Sequence, residues 1–412
     1  MAEPVPGTDA AGWLARQLVD GERVETVFDG IGYPDYGLTA DIVLALDSAG
    51  VAQDFAGKAA TWLSKADNVT GYAGDGTDES YAGPHAKLAL VAQAQGLDPT
   101  KFGGVDLLAG LRARQTASGR FSDKSLYGDF SNGITQSLGV IVLDRAGDAP
   151  GPAATYLADS ACDDGGFPLF LDKETCVSDV DTTGFAVQAM LAAGHDGAAT
   201  AGLNWLAGKQ QSDGSFGGSG PTSSPNANST GLAAQALRAS GRGAAADKAV
   251  AYLMSLQVGC AGPADHRGGI AYDATGFDPG NAPRATAQAI PGIVGVSLAD
   301  VTADGASAVA PTVDCSVPTS SPEPTTATTS PTETSTSSAT SVPSDTTTTT
   351  TVVTASPTTT VAPVPAASPA PAELAETGAE IGPVFWLGAV MLLAGAGAVL
   401  VVRPRFAKGD KR

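Results

Sequence analysis

The 412-residue chain is poor in positive charge: 23 Lys and Arg stand against 43 Asp and Glu, for a formal net charge of -20. Such a surface repels phosphate backbones and anionic lipid, which excludes nucleic acid as a partner. Histidine is scarcer still. The three present, His85, His195 and His266, are scattered along the chain, and isolated imidazoles make no ligand set, so no metal is assigned. The four cysteines, Cys162, Cys176, Cys260 and Cys315, form no C-x-x-C pair, which excludes zinc ribbons and thiol-exchange motifs. They are read as disulfides. Nearest-neighbour pairing joins Cys162 to Cys176 and Cys260 to Cys315, with other connectivities left open. No cofactor is assigned. Met1 to Asp20 lacks the basic and apolar regions of a secretory signal.

What is present changes sharply along the chain. Up to about Cys315 it is rich in Ala, Leu, Val and Gly, enough to bury a sizeable core, and residues 8–315 are read as one folded domain. Residues 316–373 are almost all Thr, Ser, Pro, Ala and Val, including an unbroken run from Thr346 to Thr351. Such a segment cannot offset its ordering entropy by burial, so it is expected to be a disordered, extended stalk. Residues 381–402 carry no charge and are long enough for a transmembrane helix; Arg403, Arg405, Lys408, Lys411 and Arg412 follow at once. Positive residues stay inside, so everything before Ile381 is expected outside the cell.

Just before that span stands Leu374-Ala375-Glu376-Thr377-Gly378. It resembles the sorting signal of sortase substrates, a Leu-x-x-Thr-Gly motif followed by an apolar helix and a basic tail. Ala375 stands where Pro is commonest, a variant similar to that of high-GC Gram-positive bacteria. The resemblance implies cleavage between Thr377 and Gly378 and transfer of Thr377 to a peptidoglycan precursor. Sortase and that precursor become the expected partners, the membrane contact of 381–402 is transient, and the final location is the cell wall. An exported chain needs a signal, so one is expected beyond this sequence or already removed from it.

The folded part is a repeat. Segments closing at Gly50, Gly96, Gly147, Gly194 and Gly241, with a less regular sixth at Gly295, recur every ~47 residues. The clearest pair runs from Asp181 to Gly194 and from Asn228 to Gly241, each starting with a strong N-cap residue and ending in a Gly suited to the helix C′ position. Another helix precedes each across a Gly-rich loop: Lys58 to Lys65, Val105 to Arg114, Pro152 to Ser160, Ala198 to Lys209 and Ala244 to Leu256. The later helix of each unit is apolar all round, as at Ala186, Val187, Ala189 and Met190, and so belongs inside. The earlier helices, with Arg112, Lys209, Asp247 and Lys248, belong outside.

Gln115-Thr-Ala-Ser-Gly119-Arg-Phe121 and Gln210-Gln-Ser-Asp-Gly214-Ser-Phe216 resemble the Gln-x-x-x-Gly-x-Trp repeat of terpene cyclases and protein prenyltransferases, with Phe for Trp. Asp164-Gly-Gly-Phe167 is similar to a degenerate third copy. The resemblance covers Ala11 to about Leu298 and implies an all-α fold, an (α/α)6 toroid of six helical hairpins around a central funnel. It implies no single activity, since the same ring serves enzymes and carriers.

Asp179-Val-Asp181-Thr182 resembles the Asp-x-Asp-Asp motif of class II terpene cyclases, whose middle Asp protonates an alkene, but Thr182 replaces the last Asp. Asn228 holds the position of Asp181 one repeat later, which makes Asp181 an N-cap. The inner helices offer mostly Ala, Val, Leu and Gln where a carbocation wants aromatic faces. The zinc ligands of the prenyltransferases and the Cys-Gly-Glu-Gln of thioester proteins have no match. Paired carboxylates for glycoside chemistry could come from Asp163, Asp164, Asp179 and Asp181. Asp75-Gly-Thr-Asp78-Glu79 lacks EF-hand spacing and reads as a turn rather than a calcium loop. The favoured reading is a surface protein binding an unidentified ligand in its funnel, with Asp179, Asp181, Asn228 and Asn281 as candidate ligand residues. The alternative is an extracellular enzyme on the same ring: a glycan hydrolase or lyase, or a cyclase-like enzyme with Asp181 as its acid. Thr377→Ala is expected to leave the chain extractable by detergent, whereas the unaltered chain is released only by wall-digesting enzymes; detergent release of both contradicts the sorting reading.

Overall fold

The computed structural model describes residues 7–148 and 150–316. The stalk, the motif at Leu374 to Gly378, the apolar span 381–402 and the basic tail lie outside them. Among the described residues no helix is long and apolar enough to cross a membrane.

Six helical units follow one another: α1 (Thr8–Ala15) with α2 (Tyr36–Ala49); α3 (Gln53–Leu63) and α4 (Ala66–Ala73) with α5 (Ala82–Ala94); α6 (Leu107–Arg112) with α7 (Gly133–Arg145); α8 (Gly151–Asp159) with α9 (Val180–Ala192); α10 (Asp196–Lys209) with α11 (Ala227–Ala239); and α12 (Gly243–Ser255) with α13 (Ala282–Val294). The last helix of each unit packs against its counterparts before and after it, and α13 returns to α2, closing an inner ring. This is the α/α toroid. Each inner helix ends where the sequence places it: Gly50, Gly96, Gly147, Gly194, Gly241 and Gly295 all take φ between 65° and 77°, which only Gly adopts without strain. Ala186, Val187, Ala189 and Met190 are fully buried, as the all-round apolar pattern requires. Arg112, Lys209, Asp247 and Lys248 are exposed on the outer layer.

The Gln-x-x-x-Gly-x-Phe turns lock one outer helix to the next. Phe121, Phe167 and Phe216 are completely buried. A Cβ at Gly119 would stand 2.0 Å from the Pro152 carbonyl oxygen, and one at Gly214 would stand 2.2 Å from that of Lys248. The backbone N–H groups of Phe167 and Phe216 each donate 2.9 Å to a threonine hydroxyl in the first turn of the adjoining inner helix, Thr183 and Thr230. A further copy was not legible because of an insertion: Gln257 pairs with Ile270, Ile270 N donates to Thr286, and Gly268 abuts Asp9, closing the last unit onto the first.

Two elements depart from the sequence reading. The outer helix expected from Lys58 begins at Gln53, and α4 follows where a loop was expected. No side chain caps α3; its first N–H groups donate to the carbonyls of Ser307 and Val309, so the start is set by tertiary contact and leaves no local signal. Between α1 and α2 lies a hairpin, β1 (Glu25–Phe28) and β2 (Ile31–Pro34), turned at Asp29-Gly30 with φ of 50° and 76°. That dipeptide between apolar runs is a hairpin signal that the helical reading passed over.

After α13 the chain forms a strap across the C-terminal ends of the inner helices. Arg145 donates to the carbonyls of Leu298, Ala299 and Val301, Gln235 donates to Val296, and Gln188 accepts from Leu298 N. Leu298 and Val301 are buried, so the strap floors the ring. Its end is pinned by Cys260–Cys315, and Cys162–Cys176 closes a separate loop, as nearest-neighbour pairing gives. Removing the first bridge as Cys260→Ser with Cys315→Ser is expected to cost on the order of 2 to 4 kcal/mol and to open residues 300–314 to limited proteolysis. Unchanged melting and cleavage would show that the strap needs no bridge.

Candidate functional site

All six inner helices begin at one face of the ring and line a cavity of about 350 Å³ floored by Leu298. Its body is apolar, with Leu38, Leu44, Ile134, Leu138, Leu232 and Pro291 on the walls, and two aromatic rings, Phe185 and Tyr272, reach it. The charged groups among its lining residues sit in two places.

The first is at the starts of α9 and α11. Asp179, not Asp181, is the N-cap of α9: its Oδ1 accepts from Thr182 N and from the Thr182 hydroxyl, each at 2.7 Å, and its Oδ2 accepts from the Ser219 hydroxyl at 2.8 Å. Asn226 caps α11 in the same way, accepting from Ser229 N at 2.8 Å. The expected caps Asp181 and Asn228 each lie two residues further on, inside the helix, and line the cavity. In both segments another acceptor residue, Asp179 or Asn226, stands two positions earlier, and it is there that the helix starts. The displacement changes the chemistry. Asp181 Oδ1, Asn228 Oδ1 and the Ser229 hydroxyl are all shielded from solvent without a hydrogen bond of good geometry, the Ser229 hydroxyl approaching Asp181 closely enough only to oppose its shift. Burial, helped by the adjacent charge of Asp179, pushes the Asp181 carboxyl up to about 7, with the Ser229 hydroxyl opposing weakly. Asp179 is bonded on both carboxylate oxygens, whereas Asp181 lines the cavity.

The second polar place lies on α2, α5 and α13, where the ring closes. Arg284 bonds Asp35 at 2.9 Å and stands 3.9 Å from Asp41, which pairs with Lys87 at 2.7 Å. Arg284 Nη1 has no hydrogen-bond acceptor. These four cavity residues were missed, although a charge on an inner helix that is otherwise apolar is a legible signal. Asn281, the fourth candidate, is on the cavity rim and donates to Asp278 at 3.0 Å.

Other expectations resolve differently. The paired-carboxylate set is dispersed: Asp164 accepts from the Ser178 hydroxyl and the Trp205 indole, Asp163 is exposed, and of the four only Asp181 lines the cavity. Asp75 Oδ1 accepts from the N–H groups of Thr77, Asp78 and Glu79, a turn that consumes the carboxylate and lowers its pKa to about 2. His85 is a core residue, its Nδ1 2.8 Å from the Tyr81 carbonyl and its basicity lowered by burial.

No family model matches the chain, and no curated protein is similar to it. Solved structures are. The type II terpene cyclase MstE from Scytonema, as the D109A form with its product merosterolic acid A, superposes with a TM-score of 0.54 at 14% identity, over 70% of this chain and 95% of that one. An alpha-amylase from Clostridium perfringens gives 0.53 at 11% identity, over 72% of this chain and all of that one. A protein from Actinoplanes gives 0.50 at 13% identity, over 70% and 97%. At these identities the likeness establishes the toroid and nothing of the chemistry.

The Asp181 environment sets a pH dependence. An unfolded Asp releases its proton at ~3.9, whereas the folded carboxyl holds it up to about 7. The native state therefore binds more protons across that interval, and stability present below it is lost as pH rises through it. Asp181→Asn cannot ionise and is expected to melt like the unaltered chain near pH 4 but to exceed it at pH 8, by roughly 1 to 3 kcal/mol. Asp47 and Asp123, both raised to about 6 by burial, titrate in both proteins and cancel. An equal difference at both pH values contradicts the assignment.

Proposed function

We propose that this chain is a wall-displayed surface protein whose helical ring holds a small ligand in its central cavity. The display rests on the Leu374 to Gly378 motif, the apolar span and the basic tail. The ligand reading rests on one observation: Asp181, Asn228 and Ser229 present three shielded polar atoms beside one cavity, none in a hydrogen bond of good geometry. Each such atom costs about 1 to 3 kcal/mol while unsatisfied, a cost that a bound polar group removes. A protonated Asp181 offers a donor, and Asn228 Oδ1 an acceptor. The apolar walls then suit a hydrocarbon body, and a volume of about 350 Å³, at the low end of ligand pockets, suits a compact molecule or the end of a longer one.

A second reading has its own support. A carboxyl that keeps its proton near neutral pH beside a firmly bonded partner, Asp179, is the arrangement of a general acid. It makes Asp181 the proton donor of an enzyme. The two aromatic rings at the cavity give little support to a cation formed there, so binding is preferred.

Thermal shift against isoprenoid alcohols, cobalamin and wall-glycan fragments tests both. One class is expected to raise the melting temperature of the unaltered chain, and Asn228→Leu to abolish the response. Failure of all three classes contradicts binding of these chemistries. Turnover of a probe, followed by mass spectrometry and lost in Asp181→Asn, replaces the binding reading with the catalytic one.

A further inference from the structure

At the opposite end of the ring, under the strap, lies a separate open pocket of about 340 Å³. It is bounded by the end of α2 (Asp47, Ser48, Gly50), the end of α13 and strap residues that include Asp300 and Asp304. Asp47 is 3% exposed. Its Oδ1 accepts from Gln53 Nε2 at 2.7 Å and from Gln95 Nε2 at 2.6 Å, which fixes the carboxyl plane. Its Oδ2 is shielded and has no partner. A buried carboxylate oxygen at a helix C-terminus is doubly unfavourable, since the carbonyl end of the helix already carries partial negative charge.

We propose that this pocket is a calcium site built on Asp47 Oδ2, completed by a strap carboxylate and by hydroxyl and main-chain carbonyl oxygens of the strap. All the groups on offer are oxygens, the donor type of a hard cation, and calcium tolerates a mixed, loosely regular oxygen shell better than magnesium does. No three His, Cys, Asp or Glu side chains converge among the described residues, so neutral oxygens must supply much of the shell. Ser297, whose hydroxyl donates to Asp300 Oδ2 at 2.5 Å, and Thr302 line the same space. The surrounding charge favours a cation. The strap lies on the C-terminal ends of several inner helices: Ala303 N donates to Ala94 O, and Ser307 N to Gly50 O. Arg145, the cation that feels Asp300, spends its Nη groups on the carbonyls of Leu298, Ala299 and Val301 and forms no ion pair with Asp47. Calcium here would tie the strap to α2, and so the floor of the ring to its wall.

Isothermal titration of the purified, chelator-treated chain with calcium chloride at pH 7.5 tests this, with melting temperature in calcium against EDTA as the second readout. One site is expected, with dissociation in the range of extracellular modules, roughly 10⁻⁴ to 10⁻³ M, and a melting temperature raised by a few degrees at saturating calcium. Asp47→Asn retains the acceptor for Gln53 and Gln95 and is expected to fold but to lose both responses. Asp75→Asn, in the exposed turn, is expected to keep them. Absence of binding by the unaltered chain, or binding undiminished in Asp47→Asn, overturns the proposal.

Discussion

The ring depends on close approaches between backbones that only glycine permits. After an outer helix the chain turns at Gly119, Gly165, Gly214 or Gly268, and each turn lies against a backbone carbonyl of the next outer helix, at Pro152, Ala201, Lys248 and Asp9. The buried residue that follows donates its N–H to the first turn of an inner helix, to Gln136, Thr183, Thr230 and Thr286 in order. One side of the turn fixes the spacing of the outer layer, and the other fixes the height of the inner helix. Repeated in four of the six units, the two contacts set the starts of α7, α9, α11 and α13 at one level.

The cavity follows from that arrangement. Inner helices that begin together must satisfy their N–H groups at a common rim, and Asp35, Asn132, Asp179 and Asn226 do so by side-chain capping. Residues two positions beyond a cap point differently, and at Asp181 and Asn228 they face the space the ring encloses. Capping and cavity lining are thus divided between neighbours in sequence. Asp179 does the structural task, bonded on both oxygens, so Asp181 is free of it. The strap completes the enclosure from the other side, making a pocket of what would otherwise be a channel.

Much of this was legible. The glycine periodicity gave the inner helices and their ends, because a C′ glycine is a local requirement with a local signature. The apolar circumference of segments such as Ala186 to Met190 placed them inside. The disulfides followed from nearest-neighbour pairing. What escaped was tertiary in origin. The start of α3 is set by strap carbonyls some 250 residues away, the fourth turn motif is hidden by its insertion, and the Arg284 to Asp35 ion pair joins residues that only ring closure brings together. The two-residue error at Asp181 had the largest consequence, since it gave a residue expected in the funnel the capping role that belongs to Asp179. The competing acceptor Asp179 was in plain view, and the choice between them needed the backbone.

The most direct test is a carbon-13 chemical-shift titration of the Asp181 carboxyl, assigned by comparison with Asp181→Asn. An inflection is expected near 7, where burial beside Asp179 places it, with a further displacement of the signal when a cavity ligand engages the proton. An inflection near the ordinary value of ~3.9 would mean that Asp181 is solvated and charged, and the account of this cavity as a site awaiting a polar ligand would be wrong.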